Sequence, residues 1–123
     1  MGLARAVALV LGAVYLLMGV IGVITLPGGE GDLLGIFGVN TLLNIVLIVI
    51  GAALLYGATA TTTAVVVSRV MGPVLAVLGL LGILLPDGFG LVPLGGPNIL
   101  LHLFTGAVLL YIGFMAPIEA RAI

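Results

Sequence analysis

Four polar side chains stand out in otherwise apolar stretches, as two pairs with the same spacing. Asn40 precedes Asn44 by four residues, and Asn98 precedes His102 by four residues. Residues four apart lie on one face of a helix, so each pair presents two hydrogen-bonding groups together. A neutral imidazole can ligate a haem iron or the magnesium of a chlorophyll-type pigment. His102 is therefore the candidate cofactor ligand of the chain.

The same residues have a structural interpretation, which we favour. Asn40 and Asn98 stand at predicted helix starts, where an Asn side chain caps free backbone N–H groups. Asn44 and His102 can hydrogen-bond to a neighbouring helix, as polar side chains in membrane helices do. A transport site is the third interpretation, because polar residues within spans mark many transport pathways. The predicted interhelical polar residues are Asn40, Asn44, Asn98 and His102.

Patterns typical of catalysis and of metal binding are absent from the sequence. No predicted span carries two carboxylates, and no Ser, His and Asp lie together at one depth. Glu30 and Asp32 stand in a glycine-rich loop with too few ligands for a metal ion. The chain has no cysteine, which excludes disulfides and thiol chemistry. We expect a protein that is not an enzyme and has no metal site and no cofactor.

The composition indicates an integral membrane protein. Hydrophobic residues make up 63% of the 123 residues and charged residues 6%, against about 25% charged residues in ordinary soluble domains. The mean hydropathy is +1.55. A net charge of −1 excludes the basic surface that nucleic-acid binding requires. The expected partner is the lipid bilayer.

Apolar runs between the charges predict an all-α membrane protein with four transmembrane helices. A bilayer core about 30 Å thick needs roughly 20 helical residues. Prolines end three of the runs, at Pro27, Pro86 and Pro117, and Pro73 predicts a kink near the start of the third helix. The predicted helices cover about 4–26, 41–58, 65–85 and 98–115 of a single transmembrane domain, 1–123.

The arginines determine the predicted orientation in the membrane. The positive-inside rule counts Lys and Arg near span ends and gives acidic residues little weight. Arg5 precedes the first predicted helix, Arg69 lies near the start of the third, and Arg121 follows the fourth. We therefore expect both termini on the cytoplasmic side of the plasma membrane. The acidic residues then divide into Glu30, Asp32 and Asp87 in external loops and Glu119 near Arg121.

The two halves of the chain, about 1–60 and 61–123, predict an internal repeat. Three elements recur in the same order: Gly-x-x-Gly before a proline, Asn four residues before Asn or His, and Gly-Ala-x-Leu-Leu-Tyr. A unit of two spans returns the chain to its starting side, so the halves would form two helical hairpins related by an axis along the membrane normal. The alternative is chance similarity between helices rich in Gly and Leu. The elements begin at Gly19, Asn40 and Gly51 in the first half and at Gly79, Asn98 and Gly106 in the second.

Rows of small residues predict where helices approach closely. One row begins at Ala4 on the first predicted helix, and a related row begins at Gly72 on the third. Small residues at this spacing let two helix backbones come together. We expect the first helix to pack on the third, and the alternative is an interface with another subunit. The predicted packing residues are Ala4, Ala8, Gly12, Gly19, Gly22, Gly72, Ala76, Gly79 and Gly82.

Short motifs at the openings of the second and fourth predicted helices carry a family resemblance. They are Gly-Ile-Phe-Gly-Val-Asn at 35–40, then Asn44, then Asn-Ile-Leu-Leu-His at 98–102. With these motifs the chain resembles the bacterial and archaeal DUF4383 family over nearly its whole length. The resemblance implies a small four-span membrane protein of unknown function. Members often carry histidines near the opening of the second helix, where this chain has Leu43 and Leu47.

The predicted function is that of a structural or accessory subunit, packing against a larger membrane complex or against itself. Transporters normally place ionisable side chains or unwound backbone at the bilayer midplane. Here the midplane sections around Val14, Val49, Val77 and Leu109 are aliphatic. The alternatives are a small transporter or channel, and a pigment- or haem-binding subunit that uses His102.

Overall fold

The computed structural model describes residues 2–117 and 121, and within them the protein is an all-helical bundle. The all-α fold class is thereby confirmed. The predicted proximity of Glu119 to Arg121 lies outside the described residues. The helices are α1 (Leu3–Thr25), α2 (Thr41–Gly57), α3 (Thr61–Leu84) and α4 (Pro97–Leu110), which continues into a π-helical turn at Tyr111–Met115.

Three of the helices reach the length of a membrane span. α1 has 23 residues, α3 has 24, and α4 with its π-helical turn has 19, and each is strongly apolar. α2 is equally apolar, but its 17 residues extend only about 26 Å. Because a bilayer core is about 30 Å thick, α2 is the short member of the bundle.

The third helix begins one turn earlier than predicted, at Thr61 instead of residue 65. Ala60 is extended and forms the N-cap, and the Thr63 hydroxyl donates to the carbonyl oxygens of Ala60 (2.9 Å) and Gly57 (3.0 Å). The threonines thus belong to the first turn of α3, and the α2–α3 connection is very short. α3 then runs as one helix through Pro73.

The connection between α1 and α2 contains a small β-hairpin that the sequence analysis missed. β1 (Gly31–Leu33) pairs antiparallel with β2 (Phe37–Val39). Its turn places Leu34 (φ 56°) and Gly35 (φ 71°) in the left-handed region. Glycine adopts this conformation without penalty, which explains the residue at 35. The glycine-interrupted segment that precedes α2 is therefore an ordered hairpin.

Glycines bring α1 and α2 into backbone contact. A Cβ atom built at Gly12 would lie 2.9 Å from the backbone N of Leu55, and one built at Gly51 would overlap the backbone of Leu16. Gly19 faces Ile48 in the same way. The row that begins at Ala4 was expected to pack the first helix on the third, but its glycine, Gly12, faces α2.

The same kind of contact joins α3 to α4. A Cβ atom at Gly72 would lie 2.9 Å from the backbone N of Leu110, and one at Gly106 would lie 2.7 Å from the backbone N of Ala76. Each helix pair is thus closed by glycines from both partners. Ala4 and Ala8 are fully buried, in a cluster with Ala58, Ala64 and Ile112.

The outer surface of the bundle is apolar around its whole circumference. Large hydrophobic side chains are exposed on every helix, among them Val10, Val49, Leu80 and Phe104. Water-soluble domains rarely expose contiguous apolar surface on this scale. A lipid environment explains why these side chains point outward.

Candidate functional site

The candidate site lies at the end of the bundle that carries the longer connections. Asn40 is the N-cap of α2, and its Oδ1 accepts a hydrogen bond from the backbone N of Leu43 at 2.8 Å. Its Nδ2 donates to the carbonyl oxygen of Leu91 at 2.7 Å, in the connection between α3 and α4. The predicted capping role of Asn40 is confirmed, and the same side chain also joins the two connections.

Asn98 does not cap α4, contrary to the sequence prediction. Gly96 is the N-cap and Pro97 is the first helical residue, so Asn98 already lies inside the helix. Its Nδ2 donates to the carbonyl oxygens of Gly38 at 2.8 Å and Pro93 at 3.1 Å. Asn98 therefore ties the hairpin of the first half to the loop before α4.

Asn44 is fully buried and holds the turn that follows α1. Its Nδ2 donates to the carbonyl oxygen of Gly29 at 2.8 Å. A Cβ atom at Gly22 would overlap the Asn44 Oδ1, so glycine at this position leaves room for the amide. The Oδ1 itself has no hydrogen-bond partner among residues 2–117 and 121.

His102 is fully buried, and it hydrogen-bonds to neither Asn98 nor Asn44, the polar side chains with which the sequence groups it. Its ring stands beside that of Tyr15, with centroids 6.3 Å apart and planes inclined by 18°. Neither imidazole nitrogen has a hydrogen-bond partner within the described part of the chain. The aromatic ring of Tyr15, from α1, thus lies beside the imidazole of His102.

Tyr15 and Thr105 complete this interior cluster, and the sequence analysis missed both. The two hydroxyl oxygens are 2.6 Å apart. The Thr105 hydroxyl donates to the carbonyl oxygen of Leu101 at 2.7 Å, so Tyr15 supplies the proton of the bond between them. Thr105 follows His102 by three residues on one helix face, which was a usable signal. The contribution of Tyr15 left no sequence signal, because it comes from another helix.

A haem or chlorophyll-type group fits this environment poorly. An axial ligand must present a ring nitrogen to a space that holds a large planar macrocycle. The His102 side chain has 0% exposure and lies against Tyr15. Across the described residues, no three His, Cys, Asp or Glu side chains gather as metal ligands.

The charged residues separate by end of the bundle. Arg5 donates from Nε to the carbonyl oxygen of Ala58 at 2.9 Å, and Arg69 donates from Nε to that of Gly113 at 2.7 Å. Both arginines therefore cover carbonyl groups where a helix ends. The acidic residues Glu30, Asp32 and Asp87 belong to the connections at the other end.

Apolar helices of spanning length, an apolar outer surface and charges confined to the two ends define a class, the small helical membrane proteins. No catalytic arrangement is visible in residues 2–117 and 121. The chain belongs to the family described as "Domain of unknown function (DUF4383)", whose model matches residues 5–115. The family resemblance found in the motifs is thereby confirmed. No curated protein and no solved structure matches the chain.

Proposed function

We propose that this protein is a structural or accessory membrane subunit, which packs through its lipid-facing surface against a larger membrane complex or against a second copy. The observation that supports this most directly is how its polar groups are used. The amides of Asn40, Asn44 and Asn98 all donate to carbonyl oxygens of the connections. These side chains are engaged in holding the fold, and the outer faces of the helices are apolar.

The proposed topology has four membrane-spanning helices, α2 included, and both termini on the cytoplasmic side of the plasma membrane. The arrangement of charge supports it, because Arg5 and Arg69 lie at the same end as the α2–α3 turn. The positive-inside rule assigns that end to the cytoplasm. The connections with the acidic residues are then external.

We further propose that the two halves are repeats of one helical hairpin, related by an axis along the membrane normal. Glycine contacts support this: Gly12 faces Leu55 as Gly72 faces Leu110. The Gly19 contact with Ile48 likewise corresponds to that of Gly79 with Leu103, and a single shift in each helix relates both pairs.

The alignment of the two halves by their glycine contacts changes one of the residue matches that the sequence predicted. It aligns Leu47, and not Asn44, with His102. The predicted match of Asn44 with His102 is therefore displaced by almost one helical turn. The capping Asn40 and the loop-tethering Asn98 have different positions relative to their helix starts, which is why their sequence spacing was misleading.

Crosslinking tests the subunit proposal. The chain has no cysteine, so a cysteine introduced at the exposed Val10, Val49 or Val77 is unique. We expect at least one of these positions to crosslink to a partner subunit or to a second copy in native membranes, while a cysteine at the buried Leu75 does not react. A protein that crosslinks from no helix face and purifies as a monomer in mild detergent contradicts the proposal.

A ligand-binding subunit is the second candidate. The unpaired imidazole nitrogens of His102 favour it, but the full burial of the ring against Tyr15 weighs against a macrocycle and places this candidate below the subunit role. The absorption spectrum of protein purified from its native membrane distinguishes the two. A haem or pigment band that disappears in His102→Gln, in a protein that still folds, supports the ligand role. A spectrum containing only the tyrosine band contradicts it.

A further inference from the structure

The interior of the bundle contains a cluster of polar side chains contributed by α1 and α4. Tyr15, His102 and Thr105 are each at most 2% exposed and bring together three hydrogen-bonding side chains inside apolar helices. In the repeat proposed above, on which this inference rests, the three positions correspond to aliphatic residues of the same core. The aliphatic counterparts of Tyr15, His102 and Thr105 are Leu75, Leu47 and Ile50, all buried.

The aliphatic counterparts indicate that packing alone does not require polar side chains at these positions. Leucine and isoleucine fill the corresponding volume in the other half. Polar groups buried in an apolar medium are costly unless they are hydrogen-bonded. The cluster therefore needs partners for all of its polar atoms.

The hydrogen bonds within the cluster leave the imidazole unsatisfied. Thr105 donates to the Leu101 carbonyl, and Tyr15 donates to Thr105. A neutral imidazole has one N–H donor and one bare nitrogen acceptor. Neither nitrogen of His102 has a partner in residues 2–117 and 121. The Tyr15 oxygen accepts no hydrogen bond from these residues and retains acceptor capacity.

We propose that His102 and Tyr15 form an internal hydration site, in which a water molecule bonds to the imidazole of His102 and to the hydroxyl oxygen of Tyr15. Water is the smallest molecule that both donates and accepts, and buried waters typically satisfy such orphaned groups. A side chain with no exposed surface is beyond the reach of a partner subunit or of a lipid headgroup. The occupant is therefore water.

His102 lies near the end of the bundle that carries the longer connections. His102 lies five residues after Pro97, about 8 Å along the helix axis. Asn44, in the first turn of α2, has an unpaired buried Oδ1 at the same end of the bundle. A second buried polar atom without a partner among the described residues thus lies at the same end as the cluster, which is the external side in the proposed topology.

The single histidine of the chain makes the site directly observable. Protein labelled with ¹⁵N only at histidine, in lipid nanodiscs, has one imidazole and needs no assignment. We expect a neutral ring with both nitrogens hydrogen-bonded and magnetisation transfer from water to its N–H. A bare nitrogen at the shift of an unbonded imidazole, with no transfer from water, would overturn the proposal.

Tyr→Phe variants test whether the Tyr15 hydroxyl is the second hydrogen-bond partner of the proposed water. Tyr15→Phe keeps the ring beside His102 and removes the hydroxyl, so we expect the bare-nitrogen shift of His102 to move and the transfer from water to weaken. The control is Tyr111→Phe, on a partly exposed ring at the end of α4, which leaves both signals unchanged. A Tyr15→Phe protein with wild-type signals would overturn the role of Tyr15. If this variant does not fold, the wild-type spectrum still decides the proposal. The measurement uses the isolated protein, so it is independent of whether the subunit proposal holds.

Discussion

At the residue scale, the asparagine side chains connect the two halves of the molecule outside the helix interfaces. Asn40 reaches the connection between α3 and α4, and Asn98 reaches the hairpin between α1 and α2. Each bond gives a hydrogen-bond donor to a backbone carbonyl group of a connection. The external end is thus held by reciprocal tethers, one from each half.

Replacing the two tethers with aspartate should have unequal effects. Asn98→Asp removes both donated bonds and puts a carboxylate beside the carbonyl oxygens of Gly38 and Pro93, at a site that is almost fully buried. We expect a loss of at least about 1–3 kcal/mol in the free energy of unfolding. Asn40→Asp keeps the oxygen that accepts from Leu43, and aspartate is a good N-cap, so we expect a smaller loss.

Unfolding of both variants in mixed detergent micelles, with sodium dodecyl sulfate as denaturant, measures this difference. Equal losses, or a larger loss in Asn40→Asp, would contradict the tether role of Asn98. The comparison needs no knowledge of the function.

His102→Gln keeps a hydrogen-bonding group of similar reach, while His102→Leu removes it. We expect the glutamine protein to fold and assemble as the wild type does. We expect His102→Leu to lose the hydrogen bond to internal water and to leave the Tyr15 hydroxyl oxygen without its second partner. The stability of both variants in the same denaturant titration checks this, and a glutamine variant that fails to fold contradicts a hydrogen-bonding role for His102.

At the element scale, each helix pair is closed by glycines at which an added Cβ would force the neighbouring backbone to shift. Gly51 lies against the backbone of Leu16, and Gly106 against that of Ala76. In a membrane, lipid is as apolar as the helix surface, so close van der Waals contact supplies much of the association energy. The short α2 makes these contacts with α1 along its length. They hold α2 in the bundle although its apolar length is less than the thickness of a bilayer core.

Gly51→Ala should destabilise the α1–α2 pair, although alanine is the better helix former by about 1 kcal/mol. The added Cβ overlaps backbone atoms of Leu16, which cannot rotate away as a side chain can. We expect a net loss of about 1–3 kcal/mol from overpacking. The neighbouring exposed Ala52 provides the control, because Ala52→Val adds volume on the outer face and should stay within about 0.5 kcal/mol. A more stable Gly51→Ala protein would contradict the close contact.

At the scale of the whole molecule, the charged residues that the structure describes lie towards the ends of the bundle, and the interior between them is mostly apolar, with Ser68 and the cluster of Tyr15, His102 and Thr105 as buried polar side chains. Arg5 and Arg69 mark one end, and Glu30, Asp32 and Asp87 mark the other. Moving a charged end through the bilayer is costly, so this asymmetry supports a single orientation.

Cysteine labelling tests the orientation in intact cells. A cysteine at Asp87, in the connection between α3 and α4, should react with a membrane-impermeant maleimide added outside. A cysteine at the exposed Thr62, at the start of α3, should react only after the membrane is opened. Equal expression and labelling after solubilisation serve as the controls, and the reverse pattern contradicts the proposed topology.

The sequence by itself determined the membrane class, the family, the helices and the cap of α2. These features depend on hydropathy over some twenty residues or on neighbours within one helical turn, as with Asn40 and Leu43. Even within one helical turn the sequence prediction was incomplete. α4 begins at Pro97, one residue earlier than predicted, so Asn98 lies inside the helix and tethers the connections instead of capping.

Only the tertiary structure decided which helix faces meet and what surrounds His102. In a soluble bundle, the apolar stripe of a helix identifies its buried face. In this protein most core-facing side chains are as apolar as the lipid-facing ones, so an apolar stripe does not identify the buried face. The bond between Tyr15 and Thr105 joins residues 90 positions apart. It exists because of how α1 and α4 are spaced and rotated in the bundle, and those quantities follow from the packing of whole helix surfaces.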